Sequence, residues 1–276
     1  MIKTNGFTVE ELDRFREFQR RSYAVLTAAA ENVRPGMTEQ EVARRLRKAF
    51  HEEGVHTYFH VPVALFGSRT AYPGDFGKFE ALATERVLSP GETVILDAAP
   101  VYDGCCTVDT SFAFTLEPNE TFERLDGKLP ELRDLILNLT RERCSMQKIC
   151  WTVDDRIKEW GMENCHRKHI SAVMGHRVNK TSTAFMRRTQ IWGLAPREVG
   201  YFLVAARLSR YGLRRLTPNW NHTAACDVAP QPGLWAIEPH LAQAGVGVKF
   251  EEILVITETD AYWLDDDLPH HRRWRQ

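Results

Sequence analysis

Five side chains that could bind a hard metal ion lie on or beside segments predicted to be apolar and buried. An ionised carboxylate in a protein core is costly unless a cation, a hydrogen-bond network or a metal ion offsets its charge. Four carboxylates carry about four negative charges, which two divalent cations would neutralise, and an imidazole adds a nitrogen ligand. The set is compatible with a dinuclear metal centre, and its members are Asp97, Asp109, His176, Glu238 and Glu251.

Such a centre makes hydrolysis chemically plausible. Two metal ions about 3.5–4 Å apart can hold a bridging water, lower its pKa and stabilise the oxyanion that forms when the water attacks a carbonyl. Taken singly, each residue has a simpler interpretation. An aspartate at a strand end often only accepts hydrogen bonds, Glu251 and Glu252 could form a solvated strand edge, and His176 could be an ordinary loop histidine.

Helices and strands must bring these residues together. Thr8 with Glu11, and Thr38 with Glu41, are placed as capping boxes before helical patterns. Apolar and β-branched runs predict strands, and Asp103-Gly104 is a hairpin signal between the strands that carry the two aspartates. The spacing predicts helices at 8–32, 38–54, 129–150, 152–161 and 196–211, strands at 55–65, 93–102, 108–116, 234–239, 246–256 and 261–264, a loop at 67–77, and a less regular stretch at 166–192.

This order, helices followed by strands twice over, predicts two similar α+β halves fused around one core. We find no repeat of 20–50 residues and no low-complexity linker. The chain is therefore expected to form a single domain over residues 1–276.

Composition excludes several classes of partner. Lys and Arg number 36 and Asp and Glu 37, a net charge of −1, so no basic field favours nucleic acid or an anionic membrane. The uncharged stretches at 58–68 and 199–206 are far shorter than the ~18 apolar residues of a spanning helix. No apolar secretion signal opens the sequence, so a cytoplasmic location with free thiols is expected for its six cysteines.

Each of the five candidate ligands lies in a short motif. The motifs are Leu88-Ser-Pro-Gly-Glu-Thr-Val-Ile-Leu-Asp97, Val108-Asp109-Thr-Ser-Phe, Val173-Met-Gly-His176, Pro232-Gly-Leu-Trp-Ala-Ile-Glu238-Pro239 and Gly247-Val-Lys-Phe-Glu251-Glu252. In combination they resemble the pita-bread metallopeptidase family, which includes methionine aminopeptidase, aminopeptidase P, prolidase and creatinase. They follow the family's order, and the resemblance covers most of the chain. The resemblance implies an α+β pita-bread fold, with two pseudo-symmetric halves around a curved antiparallel sheet.

The resemblance also implies a function and a ligand set. Asp97, Asp109 and Glu251 would bind one metal ion, and Asp109, His176, Glu238 and Glu251 the other. The two ions would be Mn, Fe, Co or Zn, since ligand type does not choose among them. A hydroxide bridging them would cleave a short peptide or an amide-containing small molecule, with Glu238 as the proton shuttle. A homodimer is compatible with the sequence.

The sequence departs from the family pattern around this centre. After Gly175-His176 it reads Arg177-Val-Asn-Lys-Thr-Ser-Thr, where the family usually has glycines and a second histidine. We predict His222 as the replacement catalytic histidine, with an ordinary surface histidine as the alternative. No clear match exists for the family's upstream histidine, for which Tyr72 and His60 are the only candidates, and His240 stands where a glycine is common.

A helical insertion of about 187–221 carries aromatic residues beside arginines. It is predicted to form a lid or cavity wall that accepts an anionic small molecule, with a surface helix as the alternative. Because fold does not fix function, two other hypotheses stay open. One is a specialised lyase or metal-dependent oxidase acting on an amino-acid-like compound, and the other is a non-catalytic binding module.

Overall fold

The computed structural model describes residues 2–73, 82–169, 172–181 and 196–275, with side chains from residue 199 onward in the last range. The helices are α1 (Val9–Ala30), α2 (Glu39–Glu52), α3 (Glu120–Asp126), α4 (Leu129–Arg141), α5 (Met146–Glu159), α6 (Pro196–Arg210) and α7 (Pro269–Trp274). The strands are β1 (Ile2–Lys3), β2 (Val63–Phe66), β3 (Thr93–Ala98), β4 (Val101–Tyr102), β5 (Cys106–Thr107), β6 (Thr110–Thr115), β7 (Glu163–Asn164), β8 (Val173–Val178), β9 (Lys180–Thr181), β10 (Asn219–Asn221), β11 (Gly233–Ile237), β12 (His240–Gln243), β13 (Val246–Lys249), β14 (Glu252–Ile256) and β15 (Ala261–Trp263).

The first two helices begin where their capping residues predict. The Thr8 side chain accepts a hydrogen bond from the Glu11 amide, and the Glu11 carboxylate accepts one from the Thr8 amide, which completes a capping box. At α2, Thr38 accepts from the Glu41 amide. Each helix buries one apolar face in the core that it shares with β2, β3 and β6.

Antiparallel pairing organises the strands into four sheets within the described residues. Their orders are β1-β9-β5-β4, β10-β8-β11-β14-β15, β13-β12-β7 and β2-β3-β6. One core cluster joins α1 and α2 to the sheet of β3, and a second joins α3, α4 and α5 to the sheet of β11. The predicted α+β class is confirmed.

Two central strands position the chemistry. Strand β3 lies between β2 and β6, and all six of its residues are buried. Strand β8 lies between β10 and β11, with His176 opposite Asn219 and Ala236. An isolated bridge between Phe112 and Phe250 joins the two regions just before Glu251.

Close strand packing explains the glycine that precedes His176. A Cβ on Gly175 would lie 2.5 Å from the carbonyl oxygen of Ala236 and 2.8 Å from the Ile237 side chain. Any larger residue would therefore push β8 away from β11 and displace the histidine.

The structure confirms some predicted elements and corrects others. Asp103 and Gly104 form the predicted hairpin turn with positive φ angles of 51° and 63°, and a helix begins at Pro196. The strand predicted at 55–65 begins only at Val63. The predicted helix at 129–150 is in fact two helices, which are separated by a break at Arg143 with a φ of 59°. The stretch 166–192 contains β8.

Residues 74–77 of the predicted loop and 187–195 of the insertion lie outside the described residues. None of the helices described here has the length and apolar composition required to cross a bilayer.

Candidate metal centre

The fold brings the five predicted ligands together around two further side chains, His60 and Lys249. The His176 Nε2 atom lies 3.1 Å from Asp109 Oδ2 and 3.6 Å from Glu251 Oε1. On the opposite side of Asp109, His60 Nε2 lies 3.1 Å from Oδ1. All five predicted ligands are at most 7% exposed, as expected for residues buried for a chemical reason.

Two three-ligand groups share Asp109. In the first, ligand atoms of His60, Asp97 and Asp109 all lie within 4.8 Å of one another. In the second, the same holds for Asp109, His176 and Glu251. A residue common to two adjacent groups is placed to bridge two metal ions.

Both histidines are oriented as metal ligands are. The Nδ1–H of His60 donates to the carbonyl of Val61 at 3.1 Å, and that of His176 donates to the carbonyl of Arg177 at 3.2 Å. A backbone carbonyl that holds Nδ1–H leaves the Nε2 lone pair free for a metal ion. In each ring that Nε2 atom faces Asp109, so a proton or a metal ion must lie between nitrogen and carboxylate.

Lys249 is the unpredicted charge in the centre. Its buried ammonium donates to Asp97 Oδ2 and to Glu238 Oε2, both at 2.8 Å, and lies 3.3 Å from Glu251 Oε2. Three carboxylates therefore share one ammonium, which neutralises only part of their charge. The sequence offered a signal for it, since a lysine in the apolar run Val-Gly-Val-Lys-Phe requires an acidic partner if buried.

The pKa shifts show how strongly these groups interact. Burial and the nearby Asp109 carboxylate raise the pKa of Glu251 to about 8. Burial opposes a charged imidazole at His60, but the Asp109 and Asp97 carboxylates raise its pKa to about 10. Burial likewise opposes ionisation of Glu238, but the Lys249 ammonium and nearby imidazoles lower the pKa of its carboxyl. Without another cation, the negative charge of the centre therefore favours the protonated forms of Glu251 and His60.

The donor set fits divalent metal ions. Asp97 Oδ1 and Glu251 Oε2 are buried and accept no hydrogen bond. The Lys249 ammonium lies close to Glu251 Oε2 but is not aligned with it as a donor would be. Buried carboxylate oxygens that lack a donor are the atoms that a cation would satisfy.

A cavity of about 500 Å³ opens onto the centre. Its wall is mostly apolar, and the carboxylates, His60, His176 and Lys249 lie at its polar end. Among the described residues, the wall contains no arginine. The apolar side chains that line it are Phe59, Val61, Val63, Leu65, Tyr72, Leu82, Val173, Val199, Phe202 and Leu203.

Helix α6 of the insertion forms one wall of this cavity. The Phe202 ring lies 5.3 Å from the Phe59 ring and 5.9 Å from the His176 ring, centroid to centroid. The described part of the insertion therefore supplies a cavity wall, as predicted. It supplies apolar side chains to the cavity, so the described wall does not support the expectation of an anionic ligand.

The predicted catalytic histidine lies in a different cluster. His222 Nε2 is 2.7 Å from Asp154 Oδ2, and His166 Nε2 is 3.1 Å from Asp154 Oδ1. The Arg167 guanidinium completes this cluster on the same carboxylate at 3.0 Å. His222 is not among the residues that line the cavity, so this placement does not support its predicted catalytic role.

Two other residues noted in the sequence lie beside the centre. Tyr72 lines the cavity and packs edge-on against His240, with 4.5 Å between ring centroids. The His240 Nε2–H donates to the Thr70 carbonyl at 2.7 Å, which gives that histidine a structural role. Glu251 and Glu252 are both buried, which excludes the alternative of a solvated strand edge.

Besides Lys249, sequence reasoning missed two polar residues of the cavity, His169 and Asn219. Buried atoms of both, His169 Nδ1 and Asn219 Oδ1, have no hydrogen-bond partner. Neither residue belongs to a motif in the sequence. Asn219 comes to lie opposite His176 only through the pairing of β10 with β8.

The α+β fold thus places a buried cluster of carboxylates and imidazoles at one end of an apolar cavity. The sequence profile described as metallopeptidase family M24 matches residues 13–258. The chain belongs to this family, and the pita-bread fold predicted from the motifs is confirmed. No curated protein sequence matches the chain.

Solved structures agree with this assignment. The X-Pro aminopeptidase from Thermotoga maritima has a TM-score of 0.66 at 16% identity, over 96% of this chain and 63% of that one. The Xaa-Pro dipeptidase from Bacillus anthracis has a TM-score of 0.60 at 17% identity, over 94% and 61%. The prolidase from Pyrococcus horikoshii has a TM-score of 0.63 at 16% identity, over 93% and 62%. The chain therefore spans about three fifths of the length of these proteins.

Proposed function

We propose that the protein is a metal-dependent hydrolase that cleaves a short peptide or an amide-containing small molecule. The observation that supports it most strongly is the orientation of His60 and His176. Each has its Nδ1–H held by a backbone carbonyl and its Nε2 turned toward Asp109. Family membership supports the same chemistry.

Two divalent metal ions would be held by Asp97, Asp109, His176, Glu238 and Glu251. When bound, such ions supply an activated water and polarise the scissile carbonyl. Binding would displace the protons that the imidazoles and Glu251 carry, so metal uptake should release protons. The candidate metals are Mn, Fe, Co and Zn. We also predict a single catalytic domain, a homodimer and a cytoplasmic location.

The protein's own residues would handle substrate and protons. Glu238 lines the cavity beside the centre, and its ion pair with Lys249 holds its carboxylate ionised and ready to accept a proton. The apolar wall, including Phe202 of α6, would hold an apolar side chain next to the scissile bond and exclude water from the centre.

The names of the similar structures suggest the first substrates to test. They are called X-Pro aminopeptidase, Xaa-Pro dipeptidase and prolidase. Xaa-Pro and Met-Xaa dipeptides should therefore be assayed with Mn²⁺, Co²⁺, Fe²⁺ and Zn²⁺, together with the same dipeptides carrying a C-terminal amide. Because no arginine lines the described wall, we expect the amides to be cleaved better than the free acids. Failure of every substrate with every metal would contradict a peptidase.

A second candidate is a specialised enzyme of the same fold that acts on an amino-acid-like compound by elimination or oxidation. The observation in its favour is the placement of the predicted catalytic histidine. His222 contacts Asp154 and does not line the cavity. An iron-loaded protein that cleaves none of the peptides would favour this candidate. A protein that binds no metal after reconstitution would favour a non-catalytic binding module.

A further inference from the structure

We propose that Asp154, His166 and His222 form a separate metal-ion site, which takes one divalent ion such as Zn²⁺. Ligand atoms of these three side chains all lie within 4.8 Å of one another. None of the three lines the cavity, and none belongs to the two groups that share Asp109. The site is therefore independent of the proposed hydrolase chemistry.

The spacing of the donor atoms suits zinc. With bonds of about 2.0–2.1 Å, neighbouring ligand atoms of a tetrahedral zinc ion lie about 3.3 Å apart. His166 Nε2 lies 3.1 Å from Asp154 Oδ1, and His222 Nε2 lies 2.7 Å from Oδ2. A small outward movement of His222 would admit an ion between the carboxylate and the two rings. Water would complete the tetrahedron around three protein ligands.

His222 is the residue that favours an ion over hydrogen bonds alone. Its Nε2 atom is buried, is not aligned with the Asp154 carboxylate as a donor would be, and has no hydrogen-bond partner among the described residues. The side chain as a whole is only 9% exposed. A buried nitrogen that faces a carboxylate without bonding to it is an atom that a shared cation would satisfy.

The other two side chains are prepared to bind an ion. Burial lowers the pKa of His166, so its ring is neutral at pH 7 and offers a lone pair. The Asp154 carboxylate is held by the Asn164 side-chain amide at Oδ1 and by the Arg167 guanidinium at Oδ2. Arg167 competes with an ion, but its side chain is 43% exposed and lies over the Trp151 ring, so it can leave the carboxylate at little cost.

This site should bind metal more weakly than the centre does. The Nδ1 atoms of His166 and His222 have no partner in the described part of the chain, whereas backbone carbonyls hold those of His60 and His176. Loss of such an outer partner lowers metal affinity about 10–100-fold. We therefore expect the ion to leave on desalting and to be counted only in equilibrium with free metal. Imidazole and carboxylate ligands together suit Zn²⁺, Cu²⁺ and Ni²⁺.

Equilibrium dialysis of the full chain against excess Zn²⁺ tests the site. We expect His222→Ala to bind one zinc ion fewer than the unmutated chain. The matched control is His51→Ala, which removes an exposed pair whose Nδ1 atoms, on His51 and His56, lie 2.9 Å apart, and it should lose no ion. Equal zinc counts in His222→Ala and the unmutated chain would overturn the proposal. Because only the difference is counted, the result does not depend on how many ions the centre holds.

Fluorescence locates the ion in a chain that keeps all three ligands. The Trp151 ring lies 4.6 Å from the His222 ring and is 44% exposed, so Trp151→Phe should fold normally. Saturation with Cu²⁺, which quenches a nearby indole, should remove more emission from the unmutated chain than from Trp151→Phe. An equal loss of emission in the two proteins would place no ion beside His222 and would overturn the proposal.

Arg167→Gln tests the role of Asp154. Removing the competing guanidinium should tighten binding of the His222-dependent zinc ion about fivefold. Arg141→Gln, whose arginine is 46% exposed and pairs with Asp260, should leave that affinity unchanged. An Arg167→Gln chain that binds this ion no more tightly than the unmutated chain would contradict Asp154 as a ligand.

Discussion

The ammonium of Lys249 lies 2.8 Å from a carboxylate oxygen of Asp97, and both side chains are buried. This contact fixes which oxygen of Asp97 remains available, since the other one faces His60. A buried lysine at this position therefore does two things at once. It reduces the repulsion among four carboxylates, and it orients two of them, Asp97 and Glu238.

Replacing Lys249 by methionine should destabilise the metal-free protein more than the metal-loaded one. Removing one partner of a buried ion pair costs about 3–5 kcal/mol, because the remaining charges stay in a medium of low dielectric constant. Divalent ions should recover part of this loss by neutralising the same carboxylates. Urea unfolding of Lys249→Met with and without saturating Zn²⁺ measures both effects.

The matched control for that experiment is Lys48→Met. Lys48 is exposed and pairs with Glu52 at 3.6 Å within one helix, so its removal should cost no more than about 1 kcal/mol. Equal stability of metal-free Lys249→Met and Lys48→Met would show that the buried ammonium does not stabilise the centre.

Asp109 and Asp97 should differ in how many metal ions they control. Asp109 belongs to both three-ligand groups, whereas Asp97 belongs to one. We expect Asp109→Ala to lose both zinc ions together with activity, and Asp97→Ala to lose one. Zinc analysis of the desalted variants, checked by circular dichroism, gives the counts. Unchanged stoichiometry in Asp109→Ala would contradict its bridging position.

The sequence predicted the ligand-bearing strands because their patterns are local. The apolar run around Asp97 and the Asp103-Gly104 turn depend on neighbouring residues alone, and both match the structure. The break in the long predicted helix was missed because Arg143 adopts a positive φ that few side chains favour, so nothing in the sequence signals it.

The rest of the site depends on tertiary contacts. His60 precedes β2, and it reaches Asp109 because the register of β2 on β3 sets Val63 opposite Asp97. His222 and Asp154 are far apart in sequence and meet only when the segment after β10 packs beside α5. The positions of single histidines along the chain do not predict such tertiary contacts, so the roles of these histidines could not be assigned from the sequence.

Phe202 should control substrate affinity more than stability. Its ring packs against both Phe59 and His176, which stack on each other at the cavity wall, and it is only partly buried in the free protein. Truncation to alanine would remove apolar contact with substrate worth about 1 kcal/mol, which corresponds to a rise in KM of about fivefold. Steady-state kinetics on the best cleaved peptide measure this. Val204→Ala on the same helix, whose residue is 59% exposed and does not line the cavity, should leave KM unchanged. An equal KM in both variants would remove α6 from the substrate site.

Glu11 should make the N-terminal region sensitive to acid. Its carboxylate accepts hydrogen bonds from Lys3 at 2.5 Å and from Lys180 at 2.7 Å, and so joins α1 to β1 and β9. Burial opposes ionisation, but the two lysines lower the pKa of Glu11 from its usual 4.5 to about 2. A lowered pKa in the folded state stabilises the protein above pH 4.5, and this stabilisation is lost as the pH falls from 4.5 toward 2.

Glu11→Gln isolates that charge, because glutamine can still complete the capping box with Thr8. The variant should be less stable than the unmutated chain by about 0.5–1 kcal/mol at pH 7, with the difference vanishing near pH 2. Urea unfolding at pH 7, 4.5, 3.5 and 2.5 follows the difference, and Glu17→Gln on the exposed face of α1 serves as the control. A difference that stays constant across this range would mean that the carboxylate charge does not stabilise the fold.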